Sequence, residues 1–192
     1  MKVNQAQLIK QSIDEHIALS KYMEGMSEKL SQAANSAVDC LRGGGRLLFC
    51  GNGGSAADAQ HLAAEFTGRF LRERDPWDAM VLHANTSALS AVGNDYGFDQ
   101  VFAREVRAHG RKGDILIGIS TSGNSPNILA ALNDARKKGM INVGLTGEGG
   151  GKMAEVCDIL LAVPSKSTPR IQEMHILIGH MFCQLVEEEM CD

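Results

Sequence analysis

The sequence predicts a doubly wound, parallel α/β fold with a helical extension at its amino end, and three observations carry that prediction. Short apolar runs alternate with helix-length segments from about residue 45 onward. Several of the runs are continuously apolar, as expected of strands covered on both faces. The joints are short and glycine-rich, which suits the strand-to-helix turns of a parallel sheet. With 192 residues the chain can bury a full core. One domain is expected, with amino-terminal helices over about 1–42 and an αβ core over about 45–192.

The extension comes first. Leu8, Ile13, Ile17, Leu19 and Met23, then Leu30, Ala33, Ala37 and Leu41, recur at helical spacing, with a break expected near Ser27. Gly43, Gly44 and Gly45 stop it. This helix is expected to pack on a second subunit or to cover its own sheet. Strands are then expected at 46–50, 79–82, 114–119, 142–145 and 159–163, and helices at 55–70, 87–93, 100–109, 125–138 and 172–189. In such a sheet, ligands bind beyond the carboxyl ends of the strands.

Bulk properties exclude several classes. A formal net charge of -4 offers no basic surface for nucleic acid. Arg69, Arg72 and Arg74 form the densest basic set and read as a solvated loop. No run approaches the roughly 20 apolar residues of a membrane span, and the amino terminus lacks the apolar core of a signal peptide. A cytoplasmic chain is expected, with neither nucleic-acid nor membrane partners. The five cysteines show no CxxC pair, so neither a disulfide framework nor a thiolate zinc site is expected. They read as buried small hydrophobes, except Cys191 at the exposed tail.

Two loops carry candidate chemistry. In CGNGGSAADAQHLAAEF, an apolar strand breaks at Gly51, Asn52, Gly53, Gly54 and Ser55 and opens a helix. Glycines let backbone approach an anion, and a helix start presents unpaired N–H groups to it. The strand DILIGIS runs into TSGNSPN, which gathers Ser120, Thr121, Ser122 and Ser125 around Gly123. Ser125 can cap the following helix, but a cap leaves the other hydroxyls unexplained. No GxxxxGK[ST] loop is present, and only a loose GxGxxA match occurs, with no acid after Leu82 and His83 for a ribose. A sugar phosphate across the sheet edge fits better.

His61 and Glu65 lie four apart and share a helix face. Gln172, Glu173, His175 and His180 are unusual polar cargo for an apolar last helix, and His175 reads as a satisfied core or interface histidine. Gln172 and His180 are about 12 Å apart along an ideal helix, so they do not touch. With His61 and Glu65 they form an acceptable N/O set for a divalent ion. Without metal, a carboxylate and an imidazole are enough to move a proton between adjacent carbons of a ketose.

CGNGGSAADAQHLAAEF, VGNDYGF, GISTSGNSPN, LTGEGGGKMA and RIQEMHILIGH, in this order, resemble the sugar isomerase (SIS) domain family, and within it the phosphoheptose isomerases. The resemblance runs over nearly the whole chain. It implies a flavodoxin-like three-layer sandwich and the conversion of D-sedoheptulose 7-phosphate to D-glycero-D-manno-heptose 7-phosphate. That step opens the route to ADP- or GDP-heptose precursors and the heptose of lipopolysaccharide inner core. It further implies a homotetramer with active sites between subunits. Glu65 and His180 would be the acid–base pair, and His61, Glu65, Gln172 and His180 would hold zinc. Asn52, Gly53, Gly54, Ser55, Glu65, Asn94, Asp95, Ser120, Thr121, Ser122, Ser125 and Gln172 would contact substrate. Where some members carry Asp before the Arg of RIQE, this chain has Pro169. The rival reading is a non-catalytic relative that binds the replication initiator DnaA; that branch lacks the counterparts of Glu65 and His180. A sugar-phosphate sensor and an isomerase of another phosphosugar are further alternatives.

Overall fold

The computed structural model describes residues 4–191. Five strands, β1 (Leu47–Gly51), β2 (Ala79–Val81), β3 (Ile115–Ser120), β4 (Ile141–Thr146) and β5 (Ile159–Ala162), form one parallel sheet in the order β2-β1-β3-β4-β5. The expected doubly wound α/β fold is therefore found, strand by strand. Alternation along each strand divides the core. Leu47, Phe49, Ile115 and Ile117 face one layer, while Leu48, Cys50 and Leu116 face the other.

The first layer holds α2 (Ser27–Arg42), α3 (Gly54–Thr67) and α7 (Thr168–Met190); the second holds α5 (Val101–His109) and α6 (Pro126–Lys137). The connections leaving the adjacent strands β1 and β3 thus go to opposite faces. This makes the β1/β3 edge the topological switch point, where ligands of such sheets bind. α4 (Thr86–Tyr96) lies between β2 and α5 in the chain.

The amino-terminal extension is split as expected, into α1 (Gln5–Tyr22) and α2, by a 3₁₀ turn at Met23–Met26. α2 buries Leu30, Ala33, Ala34, Ala37 and Val38 in the core, whereas α1 has no buried residue. On α1, Leu8, Ile9, Ile13 and Ile17 stay 46–62% exposed. Cys40, Cys50 and Cys183 are buried and Cys157 and Cys191 half-buried, all as free thiols. Burial pushes Cys40 up to about 11 and Cys157 up to about 12, which suits packing rather than nucleophilic chemistry.

His175 is the core histidine the sequence suggested, but it is satisfied at one nitrogen only: its Nδ1 is buried without a hydrogen-bond partner among the described residues. It is fully buried, with its Nε2 3.0 Å from the Thr146 carbonyl at the end of β4. Burial is the larger influence and pushes the imidazole down to about 4 from 6.5, against the upward pull of the carbonyl contact. The unfolded chain therefore takes up this proton first. The contribution of His175 to stability is fully present above pH 6.5 and is lost as pH falls toward 4, a range worth roughly 3 kcal/mol. Denaturant unfolding at pH 7 and pH 5 should show this slope in the wild type and a flatter one in His175→Gln; parallel slopes would refute the assignment.

Candidate active site

The site begins with how α3 and α7 meet. Gly179 lies against Leu62, where an added Cβ would come within 2.5 Å of the Leu62 side chain. That close approach brings the next residue, His180, onto the outward side of α3. His61 Nε2 and His180 Nε2 are 2.8 Å apart, with the rings edge to face at 5.1 Å between centroids and 70°. One nitrogen must donate and the other accept. Glu65, one turn beyond His61, places Oε1 3.4 Å from His61 Nε2. His61 is 48% exposed and Glu65 20%, so the cluster opens outward while remaining anchored on packed helices.

His61, Glu65 and His180 each bring one ligand atom within 4.8 Å of the others. Two imidazoles and a carboxylate suit a divalent ion such as zinc, and they equally suit proton transfer.

The two loops flank the switch point as the sequence suggested. Asn52 and Asn127 exchange a reciprocal amide pair at 2.9 and 2.8 Å, which ties the β1–α3 loop to the start of α6. Gly53 takes φ 56, a conformation glycine adopts without strain, and Ser55 is buried in the first turn of α3. Ser120 Oγ lies 2.9 Å from Ser125 Oγ and 3.4 Å from Ser122 Oγ. Ser125 occupies the cap position of α6 but makes no capping hydrogen bond; its hydroxyl turns to Ser120 instead. Thr121 and Ser122 line a cleft of about 250 Å³ with Glu148, Lys166, Thr168 and Ile171.

The Gln172 amide packs on Gly54, where a Cβ would meet its Nε2 at 2.5 Å. Gly54 precedes His61 by seven residues, so Gln172 meets α3 two turns before the His–Glu–His cluster and on nearly the same side of the helix. Asn94 and Asp95 are exposed near the end of α4 and hydrogen-bond each other at 2.8 Å. Pro169 sits in the first turn of α7, where its missing N–H costs nothing. Beside it, Arg170 donates to the Ser12 carbonyl of α1 and pairs with Glu173 at 2.8 Å; Glu173 also contacts His16 at 2.9 Å.

One reading of the sequence needs correction. The arginine loop is not simply solvated. The Arg74 side chain is 6% exposed and paired with Glu187, itself 2% exposed, at 3.0 Å. Burial alone would raise the Glu187 carboxyl. Donation from the backbone N–H groups of Leu71, Arg72 and Phe70 and from Arg74 outweighs burial and holds it below the usual carboxylate range. Asn127 was also missed, because an Asn after a helix-starting proline looks like turn chemistry.

Comparison with known proteins follows the same lines. A family model described as the SIS domain matches residues 13–147. The chain is 60% identical to a phosphoheptose isomerase of Rhodospirillum rubrum over 162 residues, covering 84% of this chain and 86% of the relative. It is 54% identical to that of Aliarcobacter butzleri over 183 residues, covering 95% and 97%. Among solved structures, a phosphoheptose isomerase from Neisseria gonorrhoeae superimposes with a TM-score of 0.90 at 46% identity, covering 95% of this chain and 98% of that one.

Proposed function

We propose that this chain, which belongs to the SIS domain family and within it to the phosphoheptose isomerases, interconverts D-sedoheptulose 7-phosphate and D-glycero-D-manno-heptose 7-phosphate. The observation that carries the reading is the meeting of His61, Glu65 and His180 within 4.8 Å. The reaction is a proton relocation. Glu65 takes a proton from C1 of the ketose, an enediolate forms across C1 and C2, and a proton returned to C2 leaves an aldehyde at C1. His180 moves the accompanying proton between the two oxygens. Nothing is oxidised or reduced overall. The hydroxyls of Ser120, Thr121, Ser122 and Ser125, with Ser55, take the phosphate. Asn52, Gly53, Gly54, Asn94, Asp95 and Gln172 bound the sugar.

Zinc, where bound, is assigned to His61, Glu65 and His180, and it would supply electrophilic stabilisation of the enediolate oxygen. Gln172, which meets α3 at Gly54, is assigned as the fourth ligand. A homotetramer with active sites between subunits is consistent with the exposed apolar side of α1; a monomer in solution with full activity would refute it. Among the described residues no helix is long and apolar enough to cross a membrane, and we place the reaction in the cytoplasm. The DnaA-binding reading lacks support, since Glu65 and His180 are both present and face the same small space.

The test is to incubate the purified protein with sedoheptulose 7-phosphate and follow the anomeric protons. Aldose signals should grow to an equilibrium mixture, and an unchanged ketose spectrum would end the proposal. Metal analysis with an EDTA-treated arm separates an ion needed for turnover from one merely held.

A further inference from the structure

His180 lacks the usual support of a working histidine. Such a ring is ordinarily oriented by a hydrogen bond from its second nitrogen to a carboxylate or carbonyl. Among the described residues its one hydrogen-bonding partner is His61. What lies against the ring is Phe70, 5.8 Å between centroids and tilted by 30°. Phe70 stands past the end of α3, in the stretch before β2. A side chain there would be free to wander unless its backbone were held.

It is held at several points. The Glu187 carboxylate accepts the backbone N–H groups of Phe70, Leu71 and Arg72 at 3.1, 2.7 and 2.9 Å. Arg74 Nε donates to the same carboxylate at 3.0 Å. Its guanidinium also donates to the carbonyls of Phe66 and Glu65, at 3.0 and 2.7 Å, and lies 3.6 Å over the Trp77 ring. Glu187 is on α7, two turns beyond His180, and Glu65 is on α3. One buried ion pair therefore fixes the loop to both helices that carry the reactive groups.

We infer that Phe70, held in place by the Glu187–Arg74 clamp, is the positioning residue that orients the His180 imidazole toward His61 and Glu65. Misplacement of a catalytic group by a fraction of its reach lowers turnover without weakening binding. The ring contact of Phe70 is with the imidazole of the acid–base group, so its loss should appear in kcat rather than in KM.

The inference rests on His180 acting in the isomerisation, so wild-type turnover is measured first. Phe70→Leu should then lower kcat roughly 10- to 100-fold with KM unchanged. Phe70→Tyr, which keeps the ring, should restore it. The His180 ring-proton NMR signals should move in Phe70→Leu and not in Phe70→Tyr. Glu187→Gln should reproduce the Phe70→Leu pattern; if it does not fold, the half-buried Phe70 positions still decide. Wild-type kcat in Phe70→Leu beside an active wild type overturns this inference and leaves the isomerase reading intact. If the wild type itself is inactive the isomerase reading fails, and unmoved His180 signals in Phe70→Leu would then overturn the orientation as well.

Discussion

Replacing Glu65 by glutamine is expected to lower kcat by roughly 10²- to 10⁴-fold, the share a positioned general base contributes, while leaving the folded chain intact. The change is isosteric. The carbonyl that Arg74 grips belongs to the backbone of Glu65 and survives the substitution. What disappears is the carboxylate 3.4 Å from His61, and with it the group able to take a carbon-bound proton. The signature is specific: exchange of the C1 proton with solvent should stop along with product formation. A Glu65→Gln protein that isomerises at the wild-type rate would remove Glu65 from the mechanism.

The second large effect is at His180. His180→Gln should also lower kcat by roughly 10²- to 10⁴-fold, but through the oxygens rather than the carbon. With Glu65 still present, C1 exchange should persist at a reduced rate while aldose formation collapses. The two variants thus separate the roles. Exchange lost in His180→Gln but kept in Glu65→Gln would reverse them.

How far these sites were legible in the sequence depends on how local their causes are. β1 and β3 announce themselves because Leu47 to Cys50 and Ile115 to Ile119 are apolar without interruption, a pattern needed by strands with helices on both faces. His61 and Glu65 are visible as neighbours because four residues bring a helix round to the same side. His180 is different. Its meeting with His61 depends on Gly179 admitting Leu62, a tertiary fit that no periodicity reveals; a polar residue on an apolar last helix marked His180 as a candidate, and the family resemblance gave it a role. Glu187 shows the limit most clearly. It stands in a run of three glutamates near the chain's end, and nothing local marks it off from its neighbours, yet it lies on the inward side of α7 beside Val186 and Cys183. Arg74 was misread for the same reason, since charged neighbours on both sides disguise a buried pair. Ser125 looked like an ordinary cap, and its hydroxyl went to Ser120.

The role proposed for Glu65 and His180 is to relocate a proton between C1 and C2 of a phosphorylated ketose. Turnover of sedoheptulose 7-phosphate in deuterium oxide tests it most directly. Aldose carrying carbon-bound deuterium at C2 is expected, with none formed above background by Glu65→Gln. Absence of aldose, or equal deuterium-labelled product from both proteins, would contradict it.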